Sequence, residues 1–349
     1  MTLPKLAIGT LGGTLSMLQS AAGEGVTPGL DSLQMLADAP ELADLAHISA
    51  KTLQLLPSAS LSFIQLIDVL YWAKAQVEEG AHAVVLSQGT DTLEEVAYFL
   101  ELLWPFDAPL ILTGAMRAAS EPGADGPANL LAAVRVALDA QSRGRGVLVV
   151  INDQIHAAAH VRKTESLAMA AFSSPHFGCE GLLIEGRTCY LKPARPRQPL
   201  PEPWRLDQRV ALLEADFAAD TLLLEQVAGL GYEGLVIAGF GAGHVSAAWA
   251  ECLGYITTRM PVIIASRTGS GPTANNTYGF DGGEMDLQRK GALMAGFLCP
   301  RKCRVLLWVL IGCGMDDELE HWLAGYRQPR WGEGHVGPRV GPTCLRRGA

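Results

Sequence analysis

The sequence predicts an α/β protein with a large N-terminal parallel sheet and a smaller C-terminal α/β unit. Three observations carry that reading. Short uncharged apolar runs, such as Ala83-Val84-Val85-Leu86 and Val147-Leu148-Val149-Val150-Ile151, read as strands buried on both faces. They alternate with longer segments of helical spacing, which implies βαβ units and a sheet covered on both sides. The rhythm breaks once, where prolines fall at 193, 196, 199, 201 and 203. The expected units are an N-terminal domain at 1–195, a linker at 196–209, a C-terminal domain at 210–326 and a disordered tail at 327–349, rich in Gly, Pro and Arg. A chain of 349 residues is longer than one core usually serves.

The elements follow in order. Leu6-Ala7-Ile8 opens the first strand, which ends in Gly9-Thr10-Leu11-Gly12-Gly13-Thr14. Paired glycines there let backbone approach a ligand closely. The pattern is not GxGxxG, and no acidic residue follows a second strand at dinucleotide spacing. Residues 16–29, small and Gly-rich, read as a mobile loop of the kind that closes over sites. Residues 33–45 have helical spacing. Thr52-Leu53-Gln54-Leu55-Leu56 reads as a strand and 61–77 as a helix, which Ser58 or Ser60 would cap. After Ala83-Val84-Val85-Leu86 come Gly89-Thr90-Asp91-Thr92 and a helix from Leu93. Pro109-Leu110-Ile111-Leu112-Thr113 is the next strand and Gly114-Ala115-Met116-Arg117 its loop. Ala124-Asp125-Gly126-Pro127 begins a helix that Asp125 would cap, and Asn152-Asp153 follows the next strand. In the C-terminal unit strands are expected at 210–213, 234–238, 262–265 and 305–308, with Gly-rich ends at 239–244 and 266–271.

Composition excludes several classes. With 49% hydrophobic and 18% charged residues the chain is globular, and no uncharged apolar run reaches membrane-spanning length. A net charge of -9 without a basic stripe argues against nucleic-acid binding. Seven cysteines form neither a CxxC nor a zinc pattern, so buried thiols in a reducing compartment are expected. The first residues enter a strand without a signal-peptide pattern, and a cytoplasmic location is expected.

Chemistry concentrates at the strand ends. Thr90 and Asp91 lie where a strand gives way to a helix, the position at which open α/β sheets bind ligands. The alternative is a plain helix cap, with Thr92 and Glu95 at capping-box spacing. At least four consecutive strand ends carry Gly, Ser, Thr or Asp, which favours one converging site over separate caps.

Several ordered motifs carry a resemblance. Leu11-Gly12-Gly13-Thr14-Leu15, Gly89-Thr90-Asp91-Thr92-Leu93-Glu94-Glu95, Gly114-Ala115-Met116-Arg117 with Ala124-Asp125-Gly126-Pro127, and Arg162-Lys163-Thr164 occur in this order. With Gly239 to Gly243 and Ser266-Arg267-Thr268, the chain resembles the bacterial-type L-asparaginases of the asparaginase/glutaminase family over roughly residues 3–326. The resemblance implies the asparaginase/glutaminase-like fold, a homo-oligomer (tetramer or dimer) and hydrolysis of L-asparagine to L-aspartate and ammonia by a threonine nucleophile, with no metal and no organic cofactor. It places Thr90, Asp91 and Lys163 in a proton-relay triad, and Ser58, Ala59, Ala115 and Met116 with Thr90 and Asp91 at substrate-contact positions.

The chain also departs from the family pattern. Leu11 stands where the first signature has threonine, leaving Thr90, Thr10 or Thr14 to supply the attacking hydroxyl. Val26 beside Thr27 replaces the loop tyrosine, Gln88 a histidine, Ala59 a glutamine, Ala242 an asparagine and Ala159 an arginine. These departures keep open a hydrolase of another small amide, and a catalytically impaired relative that binds an amino acid as a sensor or structural subunit. His156 and His160 are candidates to line the site or to serve the core. Glu284 is expected as a solvated loop acid, the alternative being a reach into a neighbouring subunit's site.

Overall fold

The computed structural model describes residues 2–13, 15, 17–19, 26–28 and 32–327; at 17–19, 26–28, 33 and 35 only the backbone is described. Its first strands are β1 (Lys5–Thr10), β2 (Met17–Gln19), β3 (Val26–Pro28), β4 (His47–Thr52), β5 (Ala83–Ser87), β6 (Leu110–Thr113), β7 (Val147–Ile151) and β8 (Gln154–Ala157). They continue with β9 (Arg162–Lys163), β10 (Phe172–Ser173), β11 (Gly181–Ile184), β12 (Arg187–Tyr190), β13 (Val210–Glu214), β14 (Gly234–Gly239), β15 (Val262–Ser266) and β16 (Leu293–Met294). The α-helices are α1 (Ser32–Ala37), α2 (Phe63–Glu78), α3 (Leu93–Leu103), α4 (Gly126–Leu138), α5 (Leu222–Gln226), α6 (Ala247–Ile256), α7 (Glu284–Arg289), α8 (Pro300–Cys313) and α9 (Leu319–Arg327).

The eight-stranded N-terminal sheet runs β12-β11-β8-β7-β6-β5-β1-β4, and the C-terminal sheet runs β13-β14-β15-β16. The strands from β4 to β7 across β1 pair in parallel, as do all four C-terminal strands. Alternation along β1 and β5 sends Ala7, Val84 and Leu86 to the core shared with α2, α3 and α8. It sends Leu6, Ile8, Ala83 and Val85 to the opposite core, shared with α4.

Four expectations are corrected. The run at 305–308 is not a strand but the middle of α8, and the fourth C-terminal strand is β16. α8 packs between α3 and the C-terminal sheet, so its apolar residues are buried all round and show no amphipathic period. Pro300 in its first turn and left-handed Gly314 after its last bracket a helix-length window that the four-residue reading missed. The strand expected at 52–56 lies earlier, as β4; it forms the sheet edge, where exposed His47, Ser49 and Lys51 mask its pattern. The helix expected at 33–45 stops at Ala37, because Pro40 cannot continue it and starts a 3-10 turn over Pro40–Asp44. The sheet is also mixed rather than all parallel. β7 and β8 form an antiparallel hairpin through Asn152 and Asp153, both at positive φ (51 and 56°). Asn and Asp tolerate that conformation in two-residue hairpin turns.

The segment expected as a mobile loop includes the antiparallel pair β2 and β3, and its other residues lie outside the described set. Arg327, expected to open the tail, ends α9 and donates to the Met294 carbonyl; 328–349 lie outside the described residues. Six described cysteines are unpaired, of which only Cys299 and Cys303 are buried; Cys189 is exposed.

Candidate active site

Three strand ends meet around Thr90. A side chain at Gly13 would strike the backbone of Gly89, with Gly89 N only 2.1 Å from the added carbon, so the first glycine loop lies directly against Gly89. A side chain at Gly114 would come within 3.3 Å of Thr90 Cγ2 and 2.6 Å of the Gln88 carbonyl. Ser58, buried, packs its hydroxyl against Gly89 from the segment after β4. Bare backbone at these positions lets the loops close on one point.

The capping reading of this stretch does not hold. Thr92 occupies the N-cap of α3 but makes no side-chain cap. Its hydroxyl donates to the Ser58 carbonyl at 3.0 Å and accepts from Gln88 Nε2 at 3.0 Å. Ser58 and Ser60 do not cap α2 either. Ser62 does, in a capping box with Gln65. Asp125 precedes α4 without capping it; its carboxylate accepts the N–H groups of Met116 and Arg117 at 2.9–3.0 Å and is bound by Asn129 Nδ2. It clamps the 114–117 loop, a role that no local spacing announces.

Thr90, 5% exposed, faces a cation. Lys163 Nζ donates to Thr90 Oγ1 and to Asp91 Oδ1, both at 2.9 Å. The Asp91 side chain is 71% exposed, so this ion pair adds little to stability. An exposed carboxylate beside a sheltered hydroxyl and amine leaves room for a second cationic partner.

Thr10 is fully buried on the α4 face of the sheet, and its Oγ1 accepts from Gly12 N at 3.4 Å. No hydrogen bond among the described residues joins it to Thr90, Asp91 or Lys163. Thr14 lies outside the described residues, as do the side chains at 26 and 27. Ala59 is exposed. Ala115 is buried against Leu15, which ties the first glycine loop to the 114–117 loop. The Met116 N–H is committed to Asp125. Leu11, 0% exposed, belongs to the α2/α3 core with Leu66, Leu70 and Leu93.

Glu94 is a residue that the sequence reading left without a role. It is 2% exposed, and its Oε2 accepts the backbone N–H of Lys163. Its Oε1 is held by Arg301 at 2.7 Å. Glu284 is not a solvated acid. It is fully buried, accepts the N–H groups of Thr277 and Tyr278, and lies 3.3 Å from His244 Nε2. His160 stacks on Phe177 at 3.8 Å between centroids.

His156 serves the core. It is buried and pairs with Ser174 Oγ at 2.9 Å. Burial, with the positive charges of Lys192 and Lys302, pushes its pKa down to about 4. The unfolded imidazole takes its proton near 6.5, above the folded value, so the stability this group contributes is present above pH 6.5 and lost as pH falls to 4. That loss is on the order of 3 kcal/mol at 1.36 kcal/mol per pKa unit. In His156→Asn, stability falls less between pH 6.5 and 4 than in the wild type. Urea midpoints at the two pH values measure this, and equal losses would refute it.

Fold and site together define an α/β protein with two main sheets, in which a hydroxyl–amine–carboxylate cluster forms at the strand ends of the N-terminal sheet. Known proteins agree with that class. The family profile "Asparaginase, N-terminal" matches residues 5–195, and "Glutaminase/Asparaginase C-terminal domain" matches 209–321. The chain is 36% identical over 335 residues to "Probable L-asparaginase" of Deinococcus radiodurans, covering 91% of this chain and 96% of that one. It is 33% identical over 325 residues to "Probable L-asparaginase periplasmic" of Haemophilus influenzae, covering 91% of each. The crystal structure of the "Probable Cytoplasmic L-asparaginase" of Campylobacter jejuni superposes with a TM-score of 0.82 at 28% identity, covering 92% of this chain and 99% of that one. The chain belongs to the asparaginase/glutaminase family.

Proposed function

We propose that the protein is an L-asparaginase-like amidohydrolase that converts L-asparagine to L-aspartate and ammonia, with Thr90 as attacking hydroxyl. The observation that carries this is the pair of 2.9 Å contacts from Lys163 Nζ to Thr90 Oγ1 and Asp91 Oδ1. An amide is a poor electrophile and a threonine hydroxyl a weak nucleophile, so a positioned base is needed. Lys163 must first give up one of its protons; its amine then takes the Thr90 proton while Oγ1 bonds to the amide carbon. It returns that proton to the leaving nitrogen, and ammonia departs. Water then attacks the resulting ester, Lys163 takes its proton, and the Thr90 oxygen leaves reprotonated as aspartate is freed. Asp91 orients Lys163, and its exposed oxygen pairs with the α-ammonium of the substrate. Ser58, Ala59 and the 115–116 backbone flank the substrate.

Leu11 favours a second reading, a relative that binds an amino acid without turning it over, since the first signature offers no hydroxyl there. Ammonia release from L-asparagine, L-glutamine and D-asparagine by purified protein at neutral pH decides between them. Release from L-asparagine, unchanged by a chelator, is expected. No release from any of the three amides at high concentration of folded enzyme would leave the second reading.

The six described cysteines, all unpaired, support a reducing compartment, and we place the enzyme in the cytoplasm. Among the described residues no helix is long and apolar enough to cross a membrane. Exposed Phe217, Leu222 and Leu223 supply apolar surface for a homo-oligomer, a dimer or tetramer that light scattering would reveal.

A further inference from the structure

The strand that carries Lys163 is held from the far end of the chain. β9 has only two residues, paired with β10 alone, so its own ladder fixes it weakly. Three side chains do the rest. Glu94, on α3 just after Thr90 and Asp91, accepts the Lys163 backbone N–H through Oε2. Arg301 holds the other oxygen of that carboxylate through Nε at 2.9 Å and Nη2 at 2.7 Å. The next residue, Lys302, is 1% exposed and donates to the carbonyls of Ala158 at 2.7 Å and Val161 at 2.5 Å, in the segment that leads into β9.

Arg301 and Lys302 sit together in the first turn of α8, where the helix dipole disfavours positive charge. Lys302 has no carboxylate within ion-pair distance among the described residues. Burying an ammonium without an ion-pair partner costs several kcal/mol. Neither residue is placed for the good of α8. Both are placed where they grip the backbone around Lys163, one directly and one through Glu94. Arg162 adds a further tie by donating to the Gly269 carbonyl of the C-terminal half.

We propose that Glu94, Arg301 and Lys302 are positioning residues for Lys163, through which α8 of the C-terminal half sets the geometry of the N-terminal site. Glu94 fixes the distance, because it joins the helix that follows Thr90 to the main chain of Lys163. Arg301 holds the Glu94 carboxylate in place, and Lys302 pins the approach to β9. The proposal rests on Thr90, Asp91 and Lys163 being the reaction centre.

The test uses the full-length protein with two readouts, turnover of L-asparagine and hydrogen exchange at the Lys163 amide. Exchange needs no turnover, so it reads the positioning even if the wild type hydrolyses nothing, an outcome that would sink the proposed function alone. Glu94→Leu removes the acceptor, whereas Glu94→Gln keeps one. In Glu94→Leu, kcat falls about 100-fold, the cost of a misplacement near 1 Å, while KM stays within about threefold, and exchange at Lys163 accelerates. Glu94→Gln stays within about tenfold of the wild type and keeps the amide protected. If Glu94→Leu does not fold, Arg301→Met and the double variant Arg301→Met/Glu94→Gln replace it. Arg301→Met strands a buried carboxylate, and the double variant regains at least about tenfold in kcat over it. A folded Glu94→Leu with kcat within threefold of wild type, unchanged exchange at Lys163, or no recovery in the double variant would overturn the proposal.

Discussion

Thr90→Ala lowers kcat for L-asparagine by at least about 10³-fold while the protein stays folded, because groups that act as a unit fail together. The substitution removes the attacking oxygen and one of the two partners that hold Lys163 Nζ. Thr90 lies in the turn between β5 and α3, not within either element, so losing its hydroxyl and methyl costs stability on the order of 1 kcal/mol. The same logic makes Thr90→Ala and Lys163→Met non-additive: the double variant is hardly slower than the slower single one. Steady-state kinetics with a denaturation midpoint for each variant separate chemistry from folding. A loss below tenfold in Thr90→Ala would mean that another hydroxyl attacks, with Thr10 and Thr14 the ones to replace next.

The core of that site was readable because its cause is local. An apolar run ending at Ser87, followed by Thr90-Asp91 and a helical segment, states a strand end wherever it occurs. Lys163 is different. It meets Thr90 across 73 positions of sequence, and a lysine in a polar stretch looks like any solvated lysine. Only the resemblance singled it out. Glu94 and Arg301 lie 207 positions apart, and nothing near either predicts the other. Thr92 and Asp125 show the opposite failure. Both stand where a cap belongs, and sequence cannot tell that Ser58 and the 116–117 backbone outbid the helix for their oxygens.

In the fold, the errors share a physical origin as well. α8 read as a strand because Val305-Leu306-Leu307-Trp308 is apolar without a gap, and a helix packed between α3 and the C-terminal sheet has no polar face to show its period. β4 escaped because an edge strand exposes alternate residues. The β7–β8 hairpin carried a usable signal in Asn152-Asp153, since those residues accept the positive φ that a tight turn between strands requires.

Leu11→Thr is expected to destabilise the protein by about 3 kcal/mol without raising kcat. The backbone N–H of Leu11 is fixed to the Ser87 carbonyl at 2.9 Å, and its side chain is wholly buried in the α2/α3 core. Threonine there removes two carbons from a packed site and buries a hydroxyl in that apolar core, and both changes cost stability. Against a total stability of about 5–15 kcal/mol, the loss is large enough to read from a urea transition. The kinetic half of the experiment carries the mechanistic weight. A leucine committed to the core marks a position that has been given over to packing, and a hydroxyl restored there should find apolar neighbours rather than Lys163. If kcat nevertheless rises more than tenfold, the first glycine loop supplies the nucleophile once it has an oxygen, and Thr90 returns to the relay. If stability falls and kcat does not rise, position 11 is excluded as the source of the attacking oxygen, as the Thr90 mechanism requires.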